Sequence, residues 1–221
     1  MNTRKKRDFE KKVSICLYIY SAIMVFFTIF SILYSVGIIN FNVTTSHYRE
    51  ELNLDDCLDD ILLLKEESFS QLSDKEKIHV LQTLVYVENS KAGIKPCPKI
   101  KLRDLPDSIA GCYDQKRCEI SIDEEVFHKS SSRTLTGIVL HEFCHHLLNE
   151  LASAYEALPV RYKDLEAFCL YREYAYEIDH YIDSSEDFAA YYHQSVETEC
   201  RHYSESQTES YFAFIYNYKP D

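Results

Sequence analysis

The chain has 221 residues and a formal net charge of −12, with only four glycines and five prolines. So few turn-forming residues disfavour a β-sandwich and favour a helix-rich fold. Because six of the 24 basic residues but only two of the 36 acidic residues lie in residues 1–39, the remainder carries a net charge of −16, and so acidic a body lacks the positive footprint of a nucleic-acid-binding protein.

Residues 13–39 contain no charged side chain and are mostly apolar, which predicts a transmembrane helix, since about 20 such residues cross a bilayer. The basic cluster directly before this segment predicts that residues 1–12 are cytoplasmic and that the body lies outside the cell. A cleaved signal peptide is the alternative, but its apolar region is normally about 7–15 residues long. We therefore predict a single-pass membrane protein with a retained anchor.

Two helices are predicted before the first strand. Residues 47–66 have the pattern of an amphipathic helix, within a helical stalk at residues 40–72. Ser73 and Glu76 match a capping box, in which the two residues satisfy each other's backbone donors at the start of a helix. The helix that follows should span about 16 residues and end at Gly93.

Three short strands are predicted in residues 98–122, with the sequences PKIKLRDL, SIAGCYD and CEISID. A polar turn at residues 114–117 joins the last two strands into a hairpin. Cys112 and Cys118 flank this turn, and opposed strand residues have α-carbons about 4.5 Å apart, near the lower end of disulfide reach. We therefore predict a disulfide between these two cysteines.

Three helices follow the strands. Their predicted extents are residues 132–155, about 161–182, and 186–202. One of the serines at 130–132 should cap the first helix, and Ser184 and Ser185 should cap the last. The order predicts an α+β fold. Its predicted divisions are a cytoplasmic basic segment at 1–12, a transmembrane anchor at 13–39, a stalk at 40–72 and a globular domain at 73–221.

The residues most informative about function lie in the predicted helix at 132–155. His141, Glu142 and His145 form an HExxH motif. Residues i and i+4 share one face of a helix, so the two imidazoles can bind one metal ion, and the intervening glutamate can reach a water on it. His146 points about 100° away from His145, which predicts a position behind the site or on the surface.

A catalytic zinc site takes three protein ligands, so a third ligand should come from a downstream helix. The candidates are Glu166, Glu173, Glu177, Asp179, Asp183, Glu186 and His193. We favour Glu186 because it opens a predicted helix whose aromatic and alanine residues can pack under the metal helix. Glu177 is the best alternative, followed by Glu173.

These residues resemble the zincin superfamily of metallopeptidases, specifically the small zincins with a glutamate ligand, such as the lethal-factor-like family and the Pro-Pro endopeptidases. The resemblance covers about residues 73–200 and rests on LHEFCHH, on the preceding hairpin and on Glu186-Asp-Phe-Ala, which is similar to the family's E-x-F-A-E ligand motif. The second glutamate of that motif is Ala190 here, and the family's catalytic tyrosine falls on Asp179. Tyr181 and His180 are the nearest substitutes.

The resemblance implies a zincin-like domain, a Zn²⁺ cofactor and a peptide or protein substrate. Glu142 is expected to act as general base on a zinc-activated water, and Tyr181 to donate to the oxyanion. The hairpin at 108–122 should provide an edge strand for an extended peptide. Two alternatives are a catalytically inactive zincin-fold ectodomain that binds partners at the cell surface, and a regulatory peptidase that faces the cytosol.

Overall fold

A computed structural model describes residues 54–107 and 109–219 of the protein. In chain order the elements are α1 (Leu54–Leu62), α2 (Glu66–Phe69), α3 (Asp74–Ala92), β1 (Lys99–Arg103), β2 (Gly111–Asp114), β3 (Glu119–Asp123), α4 (Glu124–Lys129), α5 (Ser132–Glu156), α6 (Val160–Lys163), a 3-10 turn (Glu166–Phe168), α7 (Cys169–Asp179), α8 (Phe188–His193) and α9 (Ser195–Asn217). This order confirms the α+β fold class.

The predicted cytoplasmic segment and membrane anchor, residues 1–39, lie outside the described residues. None of the helices in residues 54–107 and 109–219 is both long enough and apolar enough to span a bilayer.

The three strands form one small sheet in the order β1-β3-β2. β2 and β3 pair in antiparallel fashion, which confirms the predicted hairpin. β1 pairs with β3 in parallel, with Ile100 opposite Ile120. Ile120 and Ile122 of the central strand are completely buried. The hairpin therefore leaves β2 at the edge of the sheet.

The main hydrophobic core lies between the sheet, α3, α5 and the second half of α9. Leu64 and Phe69, from the part of the chain predicted to be a stalk, are buried in this core. The hydroxyl of Thr83 in α3 also donates a hydrogen bond to Asp60 in α1 at 2.7 Å. The described residues of the predicted stalk, 54–72, are thus packed into the domain.

Both ends of α3 have the predicted chemistry. The amide of Ser73 donates to Glu76 Oε2 at 2.8 Å in the capping box. Gly93 ends the helix with φ of 67°, in the left-handed region where glycine avoids the cost that a Cβ imposes.

The predicted disulfide is wrong, since Cys112 and Cys118 are both free thiols. The residue opposite Cys112 on the neighbouring strand is Ser121. Cys118 lies in the turn before β3, with a left-handed backbone at φ of 50°. The cause of the error is register, because β2 continues to Asp114 and the turn runs through Cys118, so Cys118 is not a strand residue that faces Cys112.

The last two predicted helices also differ from the structure. The helix expected at about 161–182 is broken into α6, a 3-10 turn and α7. The helix expected at 186–202 is two helices, which meet at Gln194. Asp187 caps α8 by accepting from the amide of Ala190, whereas Ser185 bonds to Asp183. The long helix of this region is therefore α9, which starts nine residues later than the prediction.

Candidate metal centre

The helix α5 carries the two histidines at the predicted spacing. Its cap is Ser131, whose hydroxyl accepts from the amide of Thr134 at 3.1 Å. Phe143 and Cys144 are buried on the packed side of the helix. The His141 and His145 side chains are only partly buried, at 20% and 16% exposure, and they line a cavity. The Nε2 atoms of His141 and His145 lie 3.3 Å apart, so both imidazoles point toward the same position.

The third group at this point is Glu197, the third residue of α9. Its Oε2 lies 3.4 Å from Nε2 of His141, and its Oε1 lies 3.2 Å from Nε2 of His145. One ligand atom from each of the three residues lies within 4.8 Å of the others. Glu197 is completely buried. This buried group could hold a metal ion.

The state of Glu197 fits a cation site. Its Oε2 is a buried atom with no hydrogen-bond partner among the described residues, and a buried carboxylate oxygen without a partner is costly. Burial alone would raise the pKa of Glu197, but the adjacent imidazoles of His141 and His145 bring that pKa well below its usual range. The carboxylate is therefore held in the ionised form that a metal ion requires.

Tyr181 lies beside the same carboxylate. Its hydroxyl donates to Oε1 of Glu197 at 2.6 Å. Burial and this bond to Glu197 raise the pKa of Tyr181 far above its ordinary value. The hydroxyl therefore keeps its proton, which it donates to Glu197. Its role as an oxyanion donor stays a prediction.

Glu142 is buried against the edge strand. A Cβ added to Gly111 in β2 would lie 3.2 Å from Cγ and 3.3 Å from Oε1 of Glu142, so only glycine leaves room for this side chain. Burial raises the pKa of Glu142, while the nearby His145 and His141 and a bond from the Tyr113 amide lower it in part. The net effect is a raised pKa of Glu142, so this carboxyl group, beside both histidines, takes up a proton more readily than an exposed glutamate does.

His146 is completely buried on the side of α5 that faces the sheet. Its Nδ1 is 2.8 Å from the hydroxyl of Tyr113 in β2. Tyr113 thus contacts α5 twice, through its amide to Glu142 and through its side chain to His146. As predicted from its direction on the helix, His146 is not among the three residues that could hold a metal ion. Its contact with Tyr113 links α5 to the edge strand β2.

Glu186, the predicted third ligand, is not a member of the group. It is an exposed residue in the turn before α8 and does not line the cavity. The two alternatives also have other partners, because Glu177 accepts from the amides of Ser195 and Val196 and Glu173 accepts from the hydroxyl of Ser195. Glu197, which α9 brings to the histidines, takes the place of Glu186 in the group that could hold a metal ion.

Sequence reasoning missed Glu197 because it treated residues 186–202 as one helix. A usable signal was present in the spacing of Val196, Cys200 and Tyr203, which is that of the apolar face of a helix. Val196 and Cys200 are indeed buried against Cys144 of α5. Glu197 directly follows the first of these positions and so borders a buried surface.

The two histidines and Glu142 line a cavity of about 920 Å³. The edge strand contributes Gly111, Cys112 and Tyr113 to its lining. A largely aromatic part of the lining comes from the segment around α8, with Tyr181, Phe188 and Tyr191.

Comparisons with protein-family models, with curated proteins and with solved structures find no match to this chain.

Proposed function

We propose that the protein is a zinc metallopeptidase of the zincin type, anchored to a membrane by residues 13–39, with its catalytic domain outside the cell. The observation that carries the proposal is the joint position of four side chains. His141, His145 and Glu197 converge on one point, and Glu142 lies beside them in a cavity that borders an edge strand.

The donor set favours zinc over other common metals. Two imidazoles and one carboxylate are borderline ligands that suit Zn²⁺, whereas Mg²⁺ and Ca²⁺ prefer sites made only of oxygen ligands. Three protein ligands, of which the two histidines line a cavity, leave a coordination position open, which is typical of catalytic rather than structural zinc sites. Bound there, zinc would polarise a peptide carbonyl and lower the pKa of a coordinated water.

The chain's own residues supply the proton transfers. Glu142 takes a proton from the attacking water and later delivers it to the leaving amine, a role that suits a carboxylate whose pKa is raised by burial. Tyr181 lines the cavity with a protonated hydroxyl whose one proton is donated to Glu197. Turned from Glu197 toward the substrate, this proton would stabilise the negative charge that develops on the carbonyl oxygen. Glu197 and the two histidines hold the metal ion.

The edge strand orients the substrate. β2 is paired with β3 on one side only, and Gly111, Cys112 and Tyr113 of β2 line the cavity. An extended peptide can add to such an edge through backbone hydrogen bonds, which makes binding largely independent of side chains. The aromatic residues of the cavity lining would then contact the side chains of the peptide.

The proposal is tested by replacing Glu142 with Gln in the full-length chain, purified in detergent and assayed on a library of unstructured peptides. We expect Glu142→Gln to bind zinc like the wild type and to lose about 100- to 10,000-fold in kcat, the usual contribution of a general base. The matched control is Glu150→Gln, on the same helix but outside the cavity lining, which should hydrolyse peptides at the wild-type rate.

Equal hydrolysis by wild type and Glu142→Gln would contradict the proposed mechanism. Tight zinc binding without hydrolysis of any peptide by the wild type would favour the alternative of an inactive binding domain.

A further inference from the structure

The start of α9 lacks a cap of its own. The first backbone N–H groups of a helix have no partner within the helix, and the residue before it normally satisfies one of them. Here that residue is Gln194, whose side chain makes no such bond. It bonds instead to the backbone of Ile182, accepting from the amide at 2.9 Å and donating to the carbonyl at 3.1 Å.

The missing cap comes from another helix. Glu177 of α7 accepts from the amide of Ser195 through Oε1 at 3.0 Å and from the amide of Val196 through Oε2 at 2.9 Å. Both oxygens of one carboxylate therefore hold the first two residues of α9. A negative charge at this end of a helix is also stabilised by the helix dipole.

We infer that Glu177 is a positioning residue for Glu197, the proposed third metal ligand. Glu177 acts by fixing the start of α9, the helix that carries Glu197. The inference rests on the proposed metal site. It gives Glu177 a role that differs from direct ligation, because both of its oxygens are already bound to backbone amides.

The path from Glu177 to the metal group is short. Glu197 is the third residue of α9, so it lies within the turn that Glu177 holds. α7 is fixed in turn against α5, because Tyr174 packs in a buried cluster with Cys144 and Leu148. Glu177 thus sets the position of Glu197 relative to the helix that bears His141 and His145.

Metal sites are sensitive to such displacements. Ligand distances in zinc sites are held within about 0.2 Å, and residues that orient ligands typically change metal affinity by about 10- to 100-fold when they are replaced. Glu177→Gln keeps the size of the side chain but turns an N–H₂ group toward one of the two amides. The start of α9 then loses one acceptor and the favourable charge.

The test measures zinc affinity of the full-length chain in detergent by competition with a chromophoric chelator. We expect the dissociation constant of Glu177→Gln to rise by about 10- to 100-fold, and the absorption spectrum of its Co²⁺ form to change. The matched control is Glu173→Gln, one turn earlier on α7, which removes the charge of a residue that accepts from the Ser195 hydroxyl and caps no backbone amide. It should bind zinc like the wild type.

Two further measurements separate positioning from a general effect on folding. Hydrogen exchange of residues 195–200 in the metal-free chain should be faster in Glu177→Gln than in wild type. A purely structural role would lower the thermal stability of the metal-free chain and leave the zinc affinity and Co²⁺ spectrum of the folded protein unchanged, which would overturn the inference. An equal loss of affinity in Glu173→Gln would also overturn it.

Failure of the proposed function gives a different result. A weakened zinc affinity in Glu177→Gln supports the positioning role whether or not the wild type hydrolyses a peptide. Wild-type zinc binding that is unchanged in Glu177→Gln removes only the role of Glu177. Absence of zinc binding by the wild type would remove both proposals.

Discussion

Two glutamates are buried beside or within α9 and have different surroundings. Glu197 belongs to the first turn of α9, whereas Glu88 belongs to α3 and contacts Tyr203 and Tyr211 of α9. Glu88 in α3 is 2% exposed and Glu197 is 0% exposed. Around Glu88, the hydroxyls of Tyr203 and Tyr211 donate to the two carboxylate oxygens, and Lys91 Nζ lies 2.7 Å from Oε1. Every oxygen of Glu88 therefore has a donor, and its charge is paired.

Glu197 is not satisfied in this way. Tyr181 donates to its Oε1, but its Oε2 has no hydrogen-bond partner among the described residues. Its closest polar neighbours besides Tyr181 are the two imidazoles of α5, a side-chain type that can also bind a metal ion. The comparison shows that burial of a carboxylate does not by itself indicate a functional site. The difference is that both carboxylate oxygens of Glu88 accept hydrogen bonds, whereas Oε2 of Glu197 accepts none and lies beside two imidazoles that could bind the same metal ion.

The largest expected effect comes from removing the unsatisfied carboxylate. A four-ligand zinc site has an apparent binding free energy of about 10–16 kcal/mol, or about 2.5–4 kcal/mol per ligand, so Glu197→Gln should weaken zinc binding by about 60- to 800-fold. Glu186→Gln, the matched control, should bind normally. Calorimetric titration of both variants measures this. Loss of zinc in Glu186→Gln with normal binding in Glu197→Gln would mean that α9 is misplaced.

The opposite pattern is expected at the satisfied carboxylate. Glu88→Gln breaks charge-assisted hydrogen bonds from two tyrosines and leaves Lys91 without its partner, so the free energy of unfolding of the metal-free chain should fall by about 1–3 kcal/mol. Zinc affinity should not change. Urea denaturation in the presence of a chelator measures the first quantity, with Glu205→Gln, an exposed position on α9, as the control. A loss of zinc affinity at Glu88 would break the distinction between the two sites.

Effects no larger than these are expected at two glycines that line the cavity, Gly111 and Gly137. A Cβ on Gly111 would lie 2.8 Å from Cγ2 of Ile138, so Gly111→Ala should cost about 1–3 kcal/mol in stability and slow hydrolysis by displacing Glu142. A Cβ on Gly137 meets only Oγ1 of Thr208 at 3.7 Å, so Gly137→Ala should stabilise α5 by about 0.5–1 kcal/mol. Thermal unfolding of both variants decides the matter. Destabilisation by Gly137→Ala would show that the cavity is tighter than its geometry indicates.

The predictable parts of the site are those that lie within one helix. His141 and His145 are one turn apart, and a helix of ordinary geometry places both on one face, so their convergence follows from local sequence alone. The capping box at Ser73 and Glu76 and the hairpin of β2 and β3 are equally local. In each case the interacting residues are separated by a few positions, and their geometry is set by backbone hydrogen bonds.

Only the tertiary structure brings Glu197 into the candidate metal group with His141 and His145. Glu197 lies 56 positions after His141, and its approach depends on a break at Gln194 and on a cap supplied by Glu177 from another helix. The parallel pairing of β1 with β3 is of the same kind. Helical and strand periodicity report which face of an element is apolar, but they carry no information on which acidic residue faces a distant pair of histidines. That choice arises only when α5, α7 and α9 pack together, because burying Val196 and Cys200 against α5 leaves the neighbouring carboxylate with the histidines as its partners.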